Sequence, residues 1–237
     1  MNKVITVIAW NINKRSGQAD SDKSVSEFLI QQKAEIICLT EYTKDKGICG
    51  ALDNDYKFAE SSGPNNRILL EVRNELCNSI EIIRTDDEPG CFNILHIKLR
   101  GCQPHIPEGL NILGVRMLTG KGKNAIDAAV QTPPLCKLLI GLGDAPYICI
   151  GDFNIIAQRM PKWFNNFNIA KVNEAVSPPD NFSFIGKDGT RIALDHLILS
   201  ESISCPKDVS YKWMSFPSYG VPVGKPDHGM LTAELLL

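Results

Sequence analysis

The stretch YICIGDFNIIAQ, Tyr147 to Gln158, bears on the fold and on the chemistry at once. Its first part, Tyr147–Ile150, is a short apolar run of the kind a strand shows when both its faces are buried. Gly151 then leaves the backbone free to turn, and an acid and an amide, Asp152 and Asn154, follow two residues apart. Alternation along an extended chain points both polar side chains the same way. Taken alone, the pair reads as an Asx-turn leaving a strand.

The same arrangement recurs along the chain. Asn11 and Asn13 follow VIAW, Glu41 follows IICLT, and Arg116 ends LNILGVR. Asp195 and His196 lie within RIALDHLILS, and Asp227 and His228 within KPDHGMLTAELLL. A polar group at the tip of a strand is held by a rigid scaffold while facing solvent, which is where active sites are built.

Working outward, β-branched or continuous apolar runs predict strands over residues 4–10, 35–40, 67–72, 79–84, 92–99, 110–116, 147–150, 181–185, 191–199, 211–214 and 230–236. Helical spacing predicts a helix over 24–33, capped by Ser24, and another over 124–140, interrupted or kinked at Pro133 and Pro134. Strands outnumber helices, which suits two packed sheets flanked by a few helices. The Gly/Pro-rich stretches at 101–109 and 216–225 are of loop length, so residues 1–237 are expected to form one domain.

Composition narrows the function classes. The chain of 237 residues is 43% hydrophobic and 22% charged, with a formal net charge of −2, which excludes a strongly basic nucleic-acid coat but not a local basic groove. No run approaches the ~18 apolar residues of a membrane span, so no membrane insertion is expected, and the N-terminus reads as a first strand rather than a signal peptide. Eight cysteines show no CxxC pair and no zinc spacing. They are expected to be reduced core thiols of a cytoplasmic protein. No obligatory protein partner is evident.

The strand-tip residues form a coherent set of carboxylates, amides and a histidine, with no GxSxG nucleophile. Hard oxygen ligands suit Mg²⁺ or Mn²⁺, and a histidine beside an acid can activate water. Metal, water and donors around an anionic oxygen together describe hydrolysis of a phosphate ester.

Trp10-Asn11, Leu39–Glu41 (LTE), Gly151–Asn154 (GDFN), Leu194–Ser200 (LDHLILS) and Pro226–His228 (PDH) occur in that order. The chain thereby resembles the endonuclease/exonuclease/phosphatase superfamily, and the motifs span residues 10 to 228. The resemblance implies an α/β fold: a four-layer α/β sandwich, two mixed β-sheets packed face to face with helices outside. It also implies that Glu41, assisted by Asn11 and Asp227, holds the metal. Asp152 would orient or deprotonate the attacking water, Asn154 would bind the phosphate, and His228, supported by Asp195, would act as base or transition-state donor. The resemblance leaves two candidates for the base, Asp152 and His228.

Two positions depart from the family pattern. Arg116 stands where members usually carry a His or Tyr that contacts the phosphate; it is either a bidentate phosphate ligand or an ion-pairing surface arginine. Asn13 stands where some members carry an acid. His196 points to the opposite face from Asp195 and reads as structural. His96 and His105 read as packing or surface residues. Trp163 and Phe164, near Arg159 and Lys162, are either a base-stacking platform or core aromatics.

Basic residues in loops near the site, Lys14 and Arg15, Lys121 and Lys123, and Arg159 and Lys162, favour a nucleic acid substrate. Asn13, Lys14 and Arg15 are the expected backbone contacts. The alternative is a small-molecule or phospholipid head-group phosphate ester. A catalytically silent binding module would be expected to have lost Glu41, Asp152 or His228, and all three are present.

Overall fold

A computed structural model describes residues 3–13, 19–42, 54–61, 67–86, 93–102, 109–117, 128–156, 159–160, 182–186, 188–207, 209–214 and 227–237. Lys14, Arg15, His105, Lys121, Lys123, Lys162, Trp163 and Phe164 lie outside these residues. The described strands are β1 (Val4–Asn11), β2 (Ile36–Tyr42), β3 (Tyr56–Glu60), β4 (Arg67–Arg73), β5 (Ser79–Asp86), β6 (Asn93–Arg100) and β7 (Leu110–Arg116). They continue with β8 (Tyr147–Asp152), β9 (Phe184–Ile185), β10 (Arg191–Ile192), β11 (Asp195–Leu199), β12 (Ser210–Lys212) and β13 (Met230–Leu236). Helix α1 (Ala19–Gln32) lies between β1 and β2, and α2 (Ala128–Gly141) between β7 and β8.

One sheet runs β12-β13-β1-β2-β4-β3 and the other β11-β8-β7-β6-β5, with a small β10-β9 hairpin beside them. Each sheet is mixed: β1/β2 and β7/β8 are parallel, and each of these pairs is joined through a helix, as a parallel pair requires.

The apolar runs explain the layering. Along β2, Ile36 and Cys38 enter the core between the sheets, while Ile37 and Leu39 face the layer of α1 with Val25 and Leu29. Along β8, Ile148 and Ile150 enter the central core and Cys149 the layer of α2 with Leu135 and Leu139. Strands buried on both faces need apolar side chains at every position, so they lack alternation. The result is the expected four layers: helix, sheet, sheet, helix.

Several boundaries differ from expectation. Helix α1 begins at Ala19 and places Ser24 inside it rather than at its cap. The proline pair lies inside α2, where it withdraws two backbone donors from the ladder. Strand β3 carried no clear signal, because its large apolar residue Phe58 is exposed while Tyr56 and Ala59 are buried. The single strand expected over 191–199 is two. Ser183 Oγ accepts from the backbone N–H of Leu194 at 2.8 Å and Asp195 at 3.2 Å, and the chain leaves the hairpin there to join β8.

Candidate active site

The parallel pairs deliver their C-terminal ends to one edge of the sandwich. Asn11 and Thr40 are register partners at the end of β1 and β2, as are Arg116 and Asp152 at the end of β7 and β8. Antiparallel β11 starts opposite, with Asp195 paired to Asp152. Asp195, Asp152 and Arg116 therefore form one row across three neighbouring strands. Residues directly opposite in a ladder have side chains on the same face, close enough to interact.

Gly151 makes this row possible. Its φ of +145° is one that L side chains rarely adopt, and a Cβ there would lie 2.1 Å from the Val115 carbonyl oxygen. Asp152 is thus the last residue of β8, inside the sheet rather than beyond it. Asn154 faces Asp152 by a turn and not by strand alternation: its φ is 51°, and its backbone N–H donates to Asp152 Oδ1 at 2.9 Å. Both the turn and the site readings of this pair describe the same atoms.

The Asp152 carboxylate is held from three sides. Besides the Asn154 backbone, Oδ2 accepts from Asn11 Nδ2 at 2.9 Å and from Asn154 Nδ2 at 3.0 Å. Asn154 Nδ2 also donates to the Met117 carbonyl at 2.7 Å, so the amide expected on the phosphate spends its donors inside the protein. Asn11 is likewise engaged at both ends, its Oδ1 accepting from the Asn13 backbone at 3.0 Å.

His228 completes the arrangement from the other sheet. Its Nδ1 lies 2.7 Å from Asp195 Oδ2, and its carbonyl accepts from Trp10 Nε1 at 2.9 Å. The ring sits against Phe184, centroids 5.0 Å apart. Tyr211 donates its hydroxyl to the Asp195 carbonyl at 2.7 Å. A Cβ at Gly229 would meet the Trp213 ring at 2.8 Å, so the residue after the histidine has to be small. Ser183, Phe184, Tyr211 and Trp213 fall in the stretches expected as strands, 181–185 and 211–214, but nothing in their residue types marked them as supports of the histidine.

Charge and burial shape the proton affinities. Burial, with the neighbouring Asp195 charge, pushes Asp152 up to about 6, against the pull of His228, Arg116 and Asn11. Burial alone would lower His228, but Asp195, through charge and hydrogen bond, together with Asp152 and Asp227, overrides it and raises the ring to about 10. Asp227, half-buried, is pushed up by burial and by the charges of Glu41 and Asp195.

Glu41, the last residue but one of β2, lies in a left-handed conformation, φ 54°, where the strand's register shifts between Leu39 and Tyr42. Its Oε1 accepts from Arg116 Nη2, and both side chains are buried. Arg116 is therefore neither exposed nor poised alone for substrate: it is the inner partner of the expected metal carboxylate. Asn13, Glu41 and Asn154 all have positive φ, and such strained conformations cluster at functional sites. His196 lies on the opposite face, its Nε2 2.6 Å from the Ile155 carbonyl, and His96 is buried against Asn111. Arg159 is exposed.

No protein-family model and no curated protein matches the sequence. Solved structures match across nearly the whole chain. An endonuclease/exonuclease/phosphatase family protein from Bacteroides thetaiotaomicron superposes with a TM-score of 0.67 at 15% identity, covering 100% of this chain and 99% of that one. The chain has the endonuclease/exonuclease/phosphatase fold. The human Nocturnin catalytic domain, solved with a bound sulfate, matches at TM-score 0.68 and 15% identity, covering 100% of this chain and 97% of that one. D. rerio TDP2 in complex with a single-strand DNA product matches at TM-score 0.68 and 12% identity, covering 98% and 99%. The fold implied by the five motifs is the fold observed. No helix among the described residues is long and apolar enough to cross a membrane.

Proposed function

We propose that this chain is a divalent-metal-dependent phosphodiester hydrolase of the endonuclease/exonuclease/phosphatase superfamily, acting on nucleic acid by in-line attack of water on phosphorus. The observation that supports this best is the row Asp195–Asp152–Arg116, met from the facing sheet by His228.

The donor set fits a divalent cation. Four carboxylates, Glu41, Asp152, Asp195 and Asp227, gather around two cationic groups, Arg116 and His228, and their charges act on the proton affinities of Asp152, Asp227 and His228. Asp195 Oδ1 is buried with no hydrogen-bond partner among the described residues. Asp152, Asp195 and His228 also bring ligand-type atoms within 4.8 Å of one another, but His228 Nδ1 is spent on Asp195, so this trio handles protons rather than caging the ion. Hard oxygen donors with surplus negative charge suit Mg²⁺ or Mn²⁺. Glu41, Asn11 and Asp227 would hold the ion, which when bound neutralises charge on the phosphate.

The remaining work falls to the chain. Asp152, fixed by Asn11 and Asn154 and ionised at neutral pH, takes a proton from the attacking water as the new P–O bond forms; the P–O bond opposite it breaks, and the leaving oxygen departs with the other product and takes its proton from solvent. His228 is protonated at neutral pH, so it serves as a donor toward a non-bridging oxygen rather than as the base. Asp195 holds the Nδ1 proton and thereby the ring orientation. Asn154 acts as a positioning residue for Asp152. Asn13, Lys14 and Arg15 follow the tip of β1 and would track the substrate backbone. Support for nucleic acid comes from this basic pair and from the shared fold of the TDP2–DNA complex. Free thiols, five of them buried among the described residues, suit a reducing, cytoplasmic setting.

The test is a screen of plasmid DNA, single-stranded DNA, RNA, abasic-site duplex and small phosphate esters with Mg²⁺ and Mn²⁺. Asp152→Ala and His228→Ala are each expected to lower the rate by about 10²–10⁴-fold. Near-normal metal-dependent hydrolysis by either variant overturns the assignment. A steep loss of substrate binding with salt marks a nucleic acid, a shallow one a small ester.

A further inference from the structure

Glu41, next to the end of β2, and Arg116, the last residue of β7, belong to the two facing sheets and meet in the buried edge of the sandwich, 7% and 4% exposed. The pairing uses only part of the guanidinium. Arg116 Nη2 donates to Glu41, while Nε and Nη1, both shielded from solvent, have no hydrogen-bond partner among the described residues. A buried cation with unspent donors is costly unless another anion completes it. Arginine also cannot give way by losing its proton, since the guanidinium stays charged at any working pH.

We propose that Arg116 is an internal counter-cation for Glu41, and that a divalent ion gains Glu41 when Arg116 is drawn onto the phosphate of a substrate. The inference rests on the phosphoesterase reading above and adds to it an order of assembly. Without an anion, Arg116 occupies the Glu41 oxygen that faces it. A metal ion would have to take a carboxylate oxygen at about 2.1 Å while standing beside a fixed positive charge. With a phosphodiester in place, the unspent donors on Nε and Nη1 are satisfied, the guanidinium turns toward the new anion, and Glu41 is released. Metal and phosphate then strengthen one another's binding, and by linkage they do so equally. The buried ion pair here serves as a switch rather than as a source of stability, since such pairs contribute little net stability.

The experiment is a titration of the full chain with Mn²⁺, followed by electron paramagnetic resonance of the free ion, with and without dimethyl phosphate, a diester that chelates Mn²⁺ weakly. In the unaltered protein, dimethyl phosphate is expected to tighten Mn²⁺ binding by about 5- to 150-fold. Arg116→Ala, relieved of the repulsion between guanidinium and ion, is expected to bind Mn²⁺ more tightly than the unaltered protein when no phosphate is present, by a comparable factor of about 5- to 150-fold, and to show no further gain from phosphate. Arg116→Lys retains a cation and is expected to stay near the unaltered affinity, and Glu41→Gln to bind Mn²⁺ poorly with or without phosphate. The Mn²⁺-induced rise in melting temperature provides a second readout and reports whether each variant folds. Equal Mn²⁺ affinity in the unaltered protein and Arg116→Ala, or weaker binding by the variant, overturns the proposal while leaving a metal-dependent hydrolase intact. Absence of Mn²⁺ binding in every form overturns both.

Discussion

Asp195→Asn tests the electrostatic core of the site with almost no change in shape. Asp195 is fully buried, and its Oδ2 lies 2.7 Å from His228 Nδ1. Raising the ring from 6.5 to about 10 corresponds to roughly 5 kcal/mol of preference for its charged form. Burial, the largest single influence, opposes that preference, so the favourable side comes mainly from Asp195, with Asp152 and Asp227 assisting. An asparagine keeps an oxygen for Nδ1–H but removes the charge. The His228 titration is then expected to fall by at least about two pH units.

The assay is NMR of the imidazole carbons; the chain has only four histidines to assign. Stability supplies an independent sign. A proton affinity raised on folding stabilises fully below 6.5 and loses that contribution as pH rises through about 10. The variant loses the part of this contribution that goes with the two-unit fall, so its deficit, at least about 3 kcal/mol near pH 6, is expected to shrink toward pH 10. A His228 that still titrates above about 9 in the variant, or a deficit that grows with pH, refutes the reasoning.

Two further outcomes follow from the same geometry. The pH–rate profile of hydrolysis is expected to be bell-shaped, losing activity as pH falls through about 6, where Asp152 gains a proton, and again as it rises through about 10, where His228 loses one; a single rising limb up to pH 11 would contradict the assignment of the two roles. Gly151→Ala forces a Cβ to 2.1 Å from the Val115 carbonyl at a φ of +145° and is expected to cost about 3 kcal/mol or more, read as a drop in melting temperature with loss of activity; a variant with unchanged stability would show that the β7–β8 close approach is not required.

Much of this architecture was legible in the residues. Runs such as IICLT and YICIG lack alternation because both faces of their strands are buried, and that property marks layered sheets without any tertiary information. The polar tips Asn11, Glu41, Arg116, Asp152 and Asp195 were visible for the same reason: each interrupts an apolar run where the strand leaves the core. Strand β3 was not legible, since an edge strand buries only some of its residues and its exposed Phe58 breaks the pattern. The supports of His228, from Ser183 to Trp213, lay in segments legible as strands, but their role was hidden because it depends on contacts between residues distant in the sequence.

What the sequence determined by itself was the set of layers and the inventory of chemistry at one edge, because burial and strand period are local properties of the chain. The tertiary structure decided which of those groups meet. Register placed Asp195, Asp152 and Arg116 in one row, and the packing of the two sheets brought Glu41 onto Arg116. It also spent the Asn154 amide on Asp152 and Met117. Charge pairing between strands that are 75 residues apart depends on how the two sheets stack, and no local pattern along the chain encodes that distance.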